Sequence, residues 1–198
     1  MASPRALGVA LRGRPAVLLV AVSLTVAGPV LFLTTYPAVL ANRLALGAGL
    51  ILAAQVPASL GTQAWYGMAG SHATRHGHAR GLAWATGLRL VALAGLVVTI
   101  QWAGRDGLAA LFVWHALLGV GFAFLQVNGP CLAAHQHPVS RADGVGAFHV
   151  AVGMGTLGGA LLATLLAALA SLASSYAVAV LLTFAGWALV GRATATGK

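Results

Sequence analysis

Apolar runs of membrane-spanning length follow one another along this chain, with hardly a charge inside them. A helix that crosses a bilayer needs about 20 mostly apolar residues. Six stretches meet that need: Ala16 to Val39, Leu44 to Tyr66, Leu82 to Trp102, Leu108 to Ala133, Val145 to Ala170 and Leu172 to Val190. They take up most of the 198 residues and leave no room for a separate soluble domain. The expected fold is all-α, a polytopic bundle of six transmembrane helices at residues 16–191. An N-terminal segment, 1–15, and a short tail, 192–198, flank it.

Composition agrees. Only 7% of residues are charged, against about 25% in a soluble domain, so the chain cannot clothe a water-facing surface. Eleven Lys and Arg face two acids, a net charge of +9. So basic a chain raises the question of nucleic acid. The basic residues, however, are few and fall between the apolar runs, where a lipid bilayer is the better partner. The single Cys131 cannot form an intrachain disulfide.

The positive charges also orient the chain, because Lys and Arg concentrate in cytoplasmic loops. One set of span ends holds Arg5, Arg12, Arg14, Arg75, Arg80, Arg141, Arg192 and Lys198. The other holds Arg43 and Arg105, the latter beside Asp106. Both termini are therefore expected in the cytoplasm, in a multi-pass protein of the plasma (inner) membrane. A cleaved signal peptide is the competing reading of the N-terminus, with Thr25-Val26-Ala27 as a small-residue site. The apolar run continues to Val39, longer than a signal peptide's apolar region of about 7–15 residues.

Polar groups at membrane depth should face the bundle or a wet cavity. Gln55, Ser59, Thr62 and Gln63 share one face of the second span. His115, Gly119, Phe122 and Gln126 share one on the fourth. His149 and Thr156 lie on the fifth. Spans one, two, four and five are thus expected to line something polar, with Gln55, Gln63, His115, Gln126 and His149 as pathway residues. Bundle-stabilising hydrogen bonds are the plainer explanation of each. Arg89, inside the third span, is expected to snorkel to the headgroups. Gly153, Gly155, Gly158 and Gly159 are expected to let the fifth helix pack closely.

No acid falls within a span, so carboxylate-dependent catalysis has almost no candidates. Walker, Rossmann, HExxH and Ser-His-Asp patterns are absent, and no catalytic residue, metal site or cofactor is expected. His72 and His76, at i, i+4 spacing, are read as cytoplasmic hydrogen-bonding groups, as are His78, His135 and His137.

Gly70-Ser71-His72-Ala73-Thr74-Arg75-His76-Gly77-His78-Ala79-Arg80 resembles the cytoplasmic signature loop of the major facilitator superfamily. Gly70, Arg75, Gly77 and Arg80 match, while Thr74 stands where the family's Asp is usual. Gly119, Gly121, Asn128, Gly129 and Pro130 come next, then the polar stretch Pro138 to Gly144 and the glycines from Gly153 to Gly159. That order is similar to the family's tenth and eleventh helices. The stretch from Leu44 to Pro57 is similar to the multidrug antiporter type. The resemblance covers about Pro15 to Gly191 and implies a C-terminal half, six of the usual twelve or fourteen helices. It implies secondary transport, with efflux of a hydrophobic or cationic small molecule. It also implies a counterpart, either a second copy or a separately encoded half. A non-transporting membrane scaffold is the alternative, and a haem- or quinone-binding protein using His115 and His149 is a third.

Overall fold

The computed structural model describes residues 13–102, 107–137, 140–169 and 172–195. Arg5, Arg12, Arg105, Asp106, Pro138, Val139 and Lys198 lie outside them. Every regular element in the described residues is helical: α1 (Gly13–Leu44), α2 (Ala48–Ala53), α3 (Val56–His76), α4 (His78–Trp102), α5 (Leu108–Gln136), α6 (Arg141–Leu169) and α7 (Leu172–Thr194). Five of them, α1, α4, α5, α6 and α7, are long and apolar enough to cross a membrane.

The second expected span is the exception. The stretch from Leu44 to Tyr66 is broken into the short α2 and the start of α3, with Ala45 at a positive φ of 49° between α1 and α2. Its second piece, α3, is too polar to join the five. α3 contacts α5 at Thr62–Gly119 near its start and at His72–Phe124 near its end, so the two run parallel. α1 and α6 also run parallel, with Gly155 against Ser23 and Gly159 against Ala27. α4 runs antiparallel to α5, joined at Gly81–Asn128 and at Gly95–Trp114. The long helices alternate in direction, and Gly13 and Thr194 stand at the same end of the bundle as Arg75, Arg80 and Arg141.

The expected signature loop is not a loop. Gly70 to His76 form the last turns of α3, and α4 begins at His78. One residue makes the corner: Gly77, at φ 83° and ψ 156°, a conformation essentially confined to glycine. Arg141 to Gly144 likewise belong to α6 rather than to a connection. There Ser140 caps the helix, its Oγ accepting from the Asp143 N–H at 3.0 Å and donating to the Asp143 carboxylate at 2.7 Å. That reciprocal pairing satisfies an otherwise free donor at the helix start.

Much of the packing joins helices far apart in sequence. α1 packs chiefly on α6 and α7, and α5 chiefly on α3 and α4. The first half of the chain (α1, α3, α4) and the second (α5, α6, α7) thus interlock, the leading helix of each half seated on the other half. Three long helices per half reverse the direction of the second relative to the first.

Glycines set these crossings, because lipid-embedded helices associate through close backbone approach. A Cβ on Gly119 would strike the Ala58 carbonyl, one on Gly61 the Ala116 carbonyl, and ones on Gly155 and Gly159 the carbonyls of Ser23 and Ala27. Gly153 and Gly158, expected to share this role, face open space instead. Positions 155 and 159 repeat on the helix face turned to α1, and 153 and 158 point away from it.

Candidate functional site

A partly open cavity of about 460 Å³ lies between α1, α3, α5 and α6, with one residue reaching it from α4. Val26, Val30, Leu33, Leu118 and Val152 give it apolar walls, and Ser59, Thr62, Gln63, Tyr66 and Thr156 supply polar groups. It lies close to the middle of the bundle. Pro29, Phe122 and Thr156 all fall at or beside the midpoints of their helices, and so does Arg89 in α4.

Arg89 is the residue whose position departs most from the expectation. It does not snorkel: only 4% of it is exposed. Eleven residues separate it from His78, about 16 Å along the helix at 1.5 Å per residue. Its stem passes α5 where Gly121 has no side chain; a Cβ there would lie 2.7 Å from Arg89 Cγ. The guanidinium ends 5.5 Å from the centre of the Phe122 ring, in cation–π contact. Nη2 donates to the Thr25 carbonyl at 3.3 Å.

That carbonyl is free for a reason written into α1. In an α-helix the Thr25 C=O accepts from the N–H four residues on, and residue 29 is proline, which has none. The arginine from α4 takes up the acceptor that Pro29 strands. The rest of the guanidinium is less well served. Nε is buried with no hydrogen-bond partner among the described residues. Among the described residues, no acidic side chain lines the cavity.

Of the five expected pathway residues, Gln63 lines this cavity and the other four do not. Gln55 sits at the break that starts α3, outside the wall. His115 is fully buried near the opposite end of the bundle from Gly77, its ring 4.9 Å from that of Tyr36 and its Nδ1 2.8 Å from the Leu111 carbonyl. Gln126 lies one turn beyond Phe122, half-buried. His149 is exposed on α6 beside Phe148. The cavity walls come from the helices at the expected spans one, two, four and five. Ser59, Thr62 and Thr156 belong to the polar faces visible in the sequence. Thr62 does both jobs: its hydroxyl lies 2.8 Å from the Ala58 carbonyl and 3.1 Å from that of Gly119, joining α3 to α5 at the cavity edge.

The basic end of the bundle carries a separate group. His72 and His76 lie with ring centres 4.7 Å apart, and His78 Nδ1 approaches Asn128 Oδ1 at 3.3 Å. His72, beyond the apolar part of α3, is held below the ordinary histidine pKa by partial burial, and further by His76 and Arg80. Among the described residues, no three His, Cys, Asp or Glu side chains come together as a metal site would need. No known protein family, curated protein or solved structure matches this chain.

Proposed function

We propose that this chain is one half of a secondary active transporter of the major facilitator kind, moving a largely apolar small molecule out of the cell. The observation that carries this reading is the mid-bundle cavity, walled from both halves of an interlocked arrangement with a buried arginine in it. Transporters built from inverted repeats hold substrate near the bilayer midplane, at the interface between repeats. Support also comes from α3 and α6, which flank the cavity and expose Gln63, Trp65, Met68, Met154 and Leu157. A second copy of the chain, or a separately encoded half, would close the cavity against those helices. Alternating access then follows from rocking one half against the other. The basic end, with both termini, faces the cytoplasm of a plasma (inner) membrane, since positive loops stay inside. The chain acts as a transporter rather than an enzyme.

The test is reconstitution in liposomes, alone and with the product of any adjacent gene, under an imposed proton or sodium gradient. Fluorescent amphiphiles of positive, zero and negative charge serve as probes. Flux of at least one, dependent on the gradient, is the expected result. No flux of any probe in either arrangement would reject the proposal and favour a membrane scaffold.

A further inference from the structure

Arg89 sets a chemical condition on what enters the cavity. A charged side chain at the centre of a bilayer is costly and needs partners at that depth. The structure provides two, the Thr25 carbonyl and the Phe122 ring. Both are neutral, and a guanidinium carries five N–H donors in a planar fork. Nε meets no acceptor among the described residues. Among the described residues, no acid supplies the missing charge. Asp143 is held by Ser140 at the start of α6.

The walls on either side are apolar, formed by Val26, Val30, Leu118 and Val152. A cation would meet Arg89 as a like charge. A purely apolar molecule would fill the cavity and leave the arginine's donors unmet, and a neutral acceptor would meet them without balancing the charge. An oxyanion carried on an apolar body satisfies both surfaces, because the guanidinium fork matches a carboxylate or phosphate in two parallel hydrogen bonds. We infer that the cavity binds an amphiphile with a single oxyanionic group, which docks on Arg89 while its apolar body lies between α1 and α6. The inference deepens the transport reading by naming the substrate class, an anionic amphiphile where a hydrophobic or cationic molecule was expected. Its test runs at equilibrium, without a gradient, so that failed transport and a failed anion site give different results.

Pyrenebutyrate, its uncharged amide and the cationic pyrenebutylamine differ at one end only. Their binding to the purified protein in nanodiscs of neutral lipid is followed by pyrene fluorescence. A charge-assisted pair in a dry site predicts that the acid binds roughly tenfold or more tighter than the amide. The amine should bind weakest. Arg89→Gln should bring acid and amide to equal affinity, and Arg89→Lys should keep part of the preference. Thr156→Trp places bulk in the cavity from an exposed position on α6, away from Arg89's partners. It should lose all three probes, and this reads the site even if Arg89→Gln does not fold.

Repeating the acid titration with phosphatidylglycerol in the nanodisc separates two sources of the same chemistry. Competition assigns the site to a lipid headgroup, and its absence assigns it to a free solute. Equal affinity for acid and amide in the wild-type protein would overturn the inference. So would tighter binding of the amine, or an acid preference that survives Arg89→Gln.

Discussion

The hydrogen bond between Arg89 and Thr25 makes a quantitative prediction about Arg89 and Pro29, two residues on different helices that do not bond to each other. Pro29 leaves the Thr25 carbonyl without its helical donor, and Arg89 Nη2 fills the gap at 3.3 Å. Pro29→Ala restores an N–H at that place in α1, so the carbonyl no longer needs the arginine. Removing the arginine with Arg89→Met, which keeps an unbranched apolar stem, should then cost less in the Pro29→Ala background than in the wild-type protein. Hydrogen bonds from charged donors contribute about 1.5–3 kcal/mol net. At 3.3 Å this one is longer than most, so a coupling of about 1 kcal/mol is expected. Each single variant mixes several effects: relief of proline strain, removal of a buried charge, and disruption of the cation–π pair with Phe122. The difference between the two arginine deletions isolates the shared carbonyl. The assay is a double-mutant cycle of reversible unfolding in mixed micelles, titrated with a denaturing detergent. Additive effects, with a coupling indistinguishable from zero, would refute the reasoning. So would a coupling of opposite sign.

Two glycines on α6 should respond oppositely to the same change. Gly155→Ala drives a methyl into the Ser23 carbonyl and should destabilise by about 1–3 kcal/mol. Gly153→Ala meets open space and should be neutral, or stabilising by up to about 1 kcal/mol, in the same unfolding assay. At the corner between α3 and α4, Gly77→Ala should cost about 1–3 kcal/mol through backbone strain alone. Gly70→Ala, inside α3 with nothing near its Cβ, should leave the melting temperature unchanged or raise it slightly.

The depressed pKa of His72 also has a pH signature. Its folded pKa lies below the unfolded value of 6.5, so the unfolded chain binds more protons between the two. The stability it contributes is complete above pH 6.5 and declines as pH falls toward the folded pKa. Melting curves from about pH 8 down to about pH 5 should show that decline, and His72→Gln should flatten it. An unchanged profile in the variant would remove His72 as the cause.

Much of the architecture is legible without coordinates. Lipid offers no partner for backbone polar groups, so long apolar runs must close their hydrogen bonds internally as helices. Ala16 to Val39 and Val145 to Leu169 accordingly fall within α1 and α6, and Ala170 lies outside the described residues. The second span is harder to read. Its polar residues, Ser59, Thr62 and Gln63, lower its apolarity because they face a cavity rather than lipid, and a window of hydropathy cannot tell those two surroundings apart. The signature stretch misleads for a similar reason. Glycines and arginines suggest a loop, yet Gly70 to His76 continue α3, since only Gly77 needs a conformation that other residues avoid.

The sequence by itself determined that this is a helical membrane bundle with most of its positive charges gathered at one end, and it pointed to the helices that meet around the mid-bundle cavity. Only the tertiary structure decided which side of each helix meets which neighbour. A helical period places Gly153 and Gly155 two residues apart without saying that one meets open space and the other a carbonyl of α1. It places Arg89 in the third span without saying that Gly121 opens a passage for its stem or that Pro29, on a different helix, strands the carbonyl it reaches. Those pairings depend on contacts between residues far apart in the chain, and rotation and crossing of packed helices create them.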